Sequence, residues 1–124
     1  MAPIRQTHRT VLWLASIGAA FIATHVPPAA TPHFGVSDPT LHLIGYGALG
    51  LATIWRLENR PAALVSRRWL GWLAFLAIYA ILDELSQPLV GRSCELGDWL
   101  ADVCGAILGM TAAQRLWRRP AGGL

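Results

Sequence analysis

The chain has 124 residues, 54% of them hydrophobic and only 14% charged, with a mean hydropathy of +0.44. A soluble domain carries about 25% charged residues, and a chain this short has a large surface to cover with polar groups. The composition therefore excludes a soluble enzyme domain and describes an integral membrane protein. The formal charge of +3 comes from ten basic residues, all Arg, scattered at the ends of apolar segments. That distribution lacks the basic stripe nucleic acid requires, so no nucleic-acid partner is expected.

Four apolar segments follow, each near the roughly 20 residues that span a bilayer. The first covers residues 11–26, behind a polar leader with Arg5, His8 and Arg9. Prolines crowd its exit, Thr24-His25-Val26-Pro27-Pro28, which favours an uncleaved helix over a signal peptide. The second covers 39–55 and opens on Ser37-Asp38-Pro39, where Asp38 suits an N-cap and proline the first turn. The third covers 69–86, ended by Pro88 and Gly91, and the fourth covers 98–117 after the turn Gly91-Arg92-Ser93. The predicted fold is all-α: one domain over 1–124, an integral membrane four-helix bundle with short loops.

Arginine stays on the cytoplasmic side of a membrane. Arg5, Arg9, Arg56, Arg60, Arg67, Arg68, Arg115, Arg118 and Arg119 share one side of this topology, and Arg92 alone takes the other. Trp13, Trp55, Trp69, Trp72 and Trp117 fall with the arginines, while Trp99 marks the opposite boundary. Both signals place the N and C termini in the cytoplasm. The absence of lysine fits a GC-rich bacterial genome, and the predicted location is the bacterial cytoplasmic (inner) membrane.

Glu58 is predicted to be cytoplasmic, but Asp38, Asp83, Glu84, Glu95, Asp98 and Asp102 gather at the outer boundary. Ionisable groups at membrane depth are functional candidates unless paired. His42 and Tyr46 are four apart, Glu84 and Gln87 three apart. Asp98, Asp102, Gly105 and Gly109 form one helical stripe. With Arg92, these residues are predicted to converge on an outer polar cup. Asp83 is left between pairing with Tyr79 and facing headgroups, and His8 and His33 are read as solvated.

His42 with Tyr46, then Asp83-Glu84-Leu85-Ser86-Gln87, Gly91-Arg92-Ser93 and Asp98-Trp99-Leu100-Ala101-Asp102-Val103-Cys104-Gly105, resemble the VanZ-like membrane proteins over residues 38–109. Their signature reads H-x-x-x-Y, DE-x-x-Q with G-R-S nearby, and D-x-x-A-D-x-x-G. Val90 stands where a proline is common, and the loop before the third span is short. The resemblance implies a cell-envelope protein. It also brings an association with resistance to teicoplanin, a lipoglycopeptide acting on cell-wall precursors.

The leading functional expectation is binding, and modification, of a membrane lipid or lipid-linked envelope precursor. His42 and Glu84 are the candidate acid–base pair. Tyr46, Gln87, Arg92, Asp98 and Asp102 are the candidate binding residues. Whether the protein is an enzyme stays open, because a Glu84–Arg92 pair bonded to Gln87 also reads as a structural clasp in a non-enzymatic scaffold. His42, Glu84, Asp98 and Asp102 offer metal-ligand chemistry, but no local ligand motif accompanies them, so no metal or cofactor is assigned. Ser86 and Ser93 lack a nucleophile elbow. No continuous hydrophilic path supports a channel. Cys94 and Cys104 are expected as free thiols. The small-residue repeat at Ala101, Gly105 and Gly109 serves either packing within the bundle or a homodimer.

Overall fold

The computed structural model describes residues 2–32, 35–57 and 66–117. His33, Glu58, Arg60, Arg118 and Arg119 lie outside the described residues. Four helices, α1 (Ala2–Thr24), α2 (Asp38–Arg56), α3 (Arg67–Ser86) and α4 (Leu96–Leu116), are joined by short connections that include 3-10 turns at Pro28–Ala30 and Gln87–Val90. The second to fourth spans begin and end within two residues of their expected positions. The first differs. Residues expected as a polar leader are helical, and α1 starts at Ala2. Pro3 is compatible with a first turn, and Arg5, His8 and Arg9 do not interrupt a helix as they do a hydropathy pattern.

Capping follows from local chemistry. The Ser66 hydroxyl accepts from the Trp69 N–H at 3.1 Å and starts α3. At α2 the expected N-cap is corrected: Ser37 holds that position with extended backbone, and Asp38 is the first helical residue. Its carboxylate is thereby free of the helix end and reaches another element.

α2 and α4 make the most extensive contact, with α3 against α4 and α1 against α2. Small residues bring the central pair backbone to backbone. A Cβ on Gly105 would overlap the Leu43 carbonyl oxygen, and one on Gly109 would overlap that of Gly47. A Cβ on Gly50 would stand 2.5 Å from the Ala106 carbonyl oxygen. Small residues permit this approach where apolar surroundings give no hydrophobic drive to association. Gly105 and Gly109 are thus covered by α2 of the same chain, and a homodimer through them would have to displace that helix.

Tyr46, Leu49, Ile54, Leu76, Ala80, Ala106 and Met110 form the buried core. The outer surface is apolar as well, with Val11, Leu12, Ile22, Ile44, Ile78, Leu82 and Leu108 all exposed. Two helical stretches, 67–90 and 96–116, are long and apolar enough to cross a membrane, and only 28% and 39% of their apolar windows are buried inside the protein. Their apolar surface is turned outward, as in a membrane protein rather than the core helix of a soluble one.

The two ends differ in chemistry. At one, Arg56 lies over the rings of Trp13 and Trp72, and Arg9 over Trp55. The Trp13 indole N–H also donates to Thr53 Oγ1 at 2.9 Å. Among the described residues, the acidic side chains collect at the other end.

Candidate functional site

The glycine contact positions the site. With the Leu43 carbonyl seated on Gly105, its neighbour His42 comes against Asp102, which lies one turn before Gly105 on α4. His42 Nδ1 donates to Asp102 Oδ1 at 2.9 Å. One turn further, Asp98 Oδ2 faces His42 Nε2 at 3.9 Å. From α3, Glu84 Oε1 approaches Nδ1 to 3.7 Å. His42, Glu84, Asp98 and Asp102 are all at most 5% exposed. Among the described residues, the ion pairs of these three carboxylates are all with this one imidazole.

Glu84 is held from both sides. Gln87 Nε2 donates to its Oε1 at 2.8 Å, and the Glu95 backbone N–H donates to its Oε2 at 3.0 Å. Gly91 turns the chain after the 3-10 segment with φ of +78°, a conformation that suits glycine. Arg92 then folds back, donating from Nε to Gln87 Oε1 at 3.3 Å and from a terminal nitrogen to Asp38 Oδ2 at 2.5 Å. The direct Glu84–Arg92 pair of the clasp alternative is therefore corrected. Gln87 stands between them, because the guanidinium is drawn to the start of α2.

Tyr46 is buried one turn from His42, its ring tilted against Tyr79 at 6.0 Å. Among the described residues its hydroxyl has no hydrogen-bond partner, and the same holds for Asp98 Oδ1 and Asp102 Oδ2. Such atoms are uncommon in a buried site and mark where a further group would be accommodated.

A second polar cluster adjoins the first. Thr24 Oγ1 donates to Asp83 Oδ1 at 2.8 Å, with His25 Nδ1 3.5 Å from the same oxygen. His25 Nε2 lies 2.9 Å from Ser86 Oγ. Asp83 thus takes neither expected role, since the Tyr79 hydroxyl donates instead to the Ile17 carbonyl at 3.0 Å. Helical spacing alone does not identify Thr24 and His25 as site neighbours. The one available signal was a polar pair at the end of an apolar helix.

The remaining candidates are simply placed. Ser93 Oγ donates to Glu95 Oε1 at 2.6 Å. Cys94 and Cys104 are free thiols, as expected, and both are exposed. His8 is exposed on α1 rather than in a loop.

Access to the cluster is lateral. A cleft of about 360 Å³ between α3 and α4 is lined by Ile81, Glu84, Leu85, Cys94, Glu95, Leu96 and Trp99. Glu84 belongs to both the cleft and the buried cluster. A proton taken or given at the cleft by Glu84 has a nearby imidazole to communicate with, which is the geometry of general acid–base chemistry.

No curated protein and no solved structure matches the chain. The model of the VanZ/LLP1 family does match, over residues 31–118. That stretch contains α2, α3 and α4 and every residue of the His42 cluster. Covering more than two thirds of the sequence, the match supports the same reading as the order of polar residues, and the chain belongs to the VanZ/LLP1 family.

Proposed function

We propose that the chain is an envelope protein crossing the bacterial cytoplasmic membrane four times, both termini inside, that binds a lipid-linked polar molecule at the outer leaflet. The observation carrying this reading is the position of Glu84. It lines a cleft otherwise made largely of Ile81, Leu85, Leu96 and Trp99, and it also contacts His42. An apolar chain fits the cleft wall while a polar head meets Glu84, which the fully buried Gln87 holds in place. Asp98 and Asp102 orient His42, and His42 with Glu84 supplies acid–base chemistry for modifying the bound group. Arg92 holds an anionic part of the ligand or braces the loop that does.

Teicoplanin susceptibility is the readout suggested by the family resemblance. A sensitive host would express wild type, Glu84→Gln or Arg92→Ala at matched membrane levels. Protection by wild type that both variants lose supports the site. Protection retained by either variant removes that residue from it. Protection by none detaches the antibiotic from this chain.

A scaffold reading is favoured by the continuous chain Glu84–Gln87–Arg92–Asp38, which ties α3 to the start of α2. Under that reading the same substitutions lower abundance and melting temperature, and function falls in proportion.

A further inference from the structure

We propose that His42, Glu84 and Asp102 bind one divalent transition-metal ion of zinc type between α2, α3 and α4. The donors come from three helices, so no local sequence motif announces them. Zinc bonds of about 2.0–2.1 Å place neighbouring ligand atoms of a tetrahedron roughly 3.3 Å apart. The separations from His42 Nδ1 to Asp102 Oδ1, 2.9 Å, and to Glu84 Oε1, 3.7 Å, bracket that spacing. One donor atom from each of the three residues lies within 4.8 Å of the others.

The unpartnered atoms provide an independent observation. Asp102 Oδ2 and the Tyr46 hydroxyl are buried without a hydrogen-bond partner. Asp102 is fully buried and Tyr46 is 2% exposed. A buried carboxylate oxygen without a donor is unfavourable, and three buried carboxylates around one imidazole leave negative charge unbalanced. A dication answers both.

The surroundings are arranged as a ligand shell requires. A metal-bound imidazole offers one nitrogen to the ion and turns the other N–H to a carboxylate. Asp98 Oδ2 stands 3.9 Å from Nε2, beyond hydrogen-bond distance but on the side from which a carboxylate would take that N–H. Glu84 is already oriented by Gln87 and the Glu95 N–H.

Asp38, His42 and Asp98 form a second geometric grouping. Asp38 is exposed and engaged by Arg92, which leaves the fully buried trio as the site. One imidazole with two carboxylates suits zinc, with a fourth position open to water or a ligand, and does not suit calcium, which takes six to eight oxygens.

With both residues on the ion, metal ligation takes the place of the acid–base role given to His42 and Glu84 above; the test reads metal content and needs no substrate, so it succeeds or fails independently of the proposed envelope ligand. The full chain, carrying Cys94→Ser and Cys104→Ser to remove thiols and purified without a histidine tag, is stripped with chelator. It is then dialysed against zinc, manganese or calcium. One equivalent of zinc retained per chain is expected, with loss in His42→Ala and Asp102→Asn. Asp98→Asn is expected to bind about 10–100-fold more weakly, and His25→Ala to bind normally. Folding of each variant is checked by circular dichroism. Where the ligand variants do not fold, the visible spectrum of cobalt-loaded parent protein decides, tetrahedral bands supporting the site and octahedral bands overturning it. No stoichiometric zinc, zinc retained by folded His42→Ala, zinc lost with His25→Ala, or calcium preferred to zinc would each overturn the proposal.

Discussion

His42 and Asp102 are separated by 60 residues in sequence and joined by a 2.9 Å hydrogen bond in the fully buried space between α2 and α4. The bond depends on a contact that involves neither side chain: the Leu43 carbonyl resting on Gly105. A packing feature of the backbone thereby sets the geometry of the polar cluster, and the two are separable by mutation.

Removing Asp102 leaves His42 buried without its hydrogen-bond acceptor, facing only the more distant Glu84 and Asp98. In chelator-treated protein, Asp102→Leu is expected to lower stability by about 3–5 kcal/mol, and the double variant His42→Phe with Asp102→Leu to lose less than the two single effects summed. A double-mutant cycle on melting in detergent measures this. Additive losses would show that the two side chains do not interact.

The glycines of the helix contact differ sharply from those on open faces. A Cβ on Gly109 would overlap the Gly47 carbonyl oxygen, while one on Gly71 or Gly97 meets nothing within 4 Å. Gly109→Ala is therefore expected to destabilise by about 1–3 kcal/mol through overpacking. Gly71→Ala, in the interior of α3, is expected to stabilise by about 0.5–1 kcal/mol through helix propensity. Thermal melts of both variants under one detergent condition provide the comparison.

Much of the architecture was legible because its causes are local. Ser37-Asp38-Pro39, Pro88-Gly91 and the apolar runs between them specify where helices α2 to α4 start and stop. His42 with Tyr46, and Asp98 with Asp102, align by helical spacing alone. What was not legible depends on paths between elements. The partner of Arg92 is set by how the chain turns at Gly91, and the start of α2 is 54 residues away from it. The Thr24–Asp83 contact spans 59 residues and joins helices whose relative rotation no spacing records. The apolar segment 11–26 falls short of α1, because hydropathy marks the edge of a bilayer rather than the end of a helix.

Asp83 illustrates a carboxylate whose role is holding α1. Asn at this position keeps an oxygen to accept from Thr24, so Asp83→Asn is expected to retain most stability. Asp83→Leu leaves Thr24 Oγ1 and His25 facing an apolar group and is expected to cost about 1–3 kcal/mol. Melting temperatures check this, and equal losses in the two variants would show that charge rather than the hydrogen bond holds the contact.

Orientation has a direct chemical test in the two exposed thiols. In single-cysteine variants in intact cells, a membrane-impermeant maleimide is expected to label Cys94, in the connection before α4, and to leave Cys104 on the apolar face of α4 unmodified. Labelling of Cys94 only after lysis would place the acidic end in the cytoplasm.

Ile81, Leu85 and Leu96, which line the cleft between α3 and α4, are themselves exposed on the apolar surface, so a ligand can enter from that surface. A ligand arriving by that route approaches in two dimensions, by diffusion in the plane of a leaflet. Occupancy would then follow the ligand's mole fraction among the surrounding amphiphiles rather than its bulk concentration, and extra detergent would weaken apparent binding by surface dilution alone.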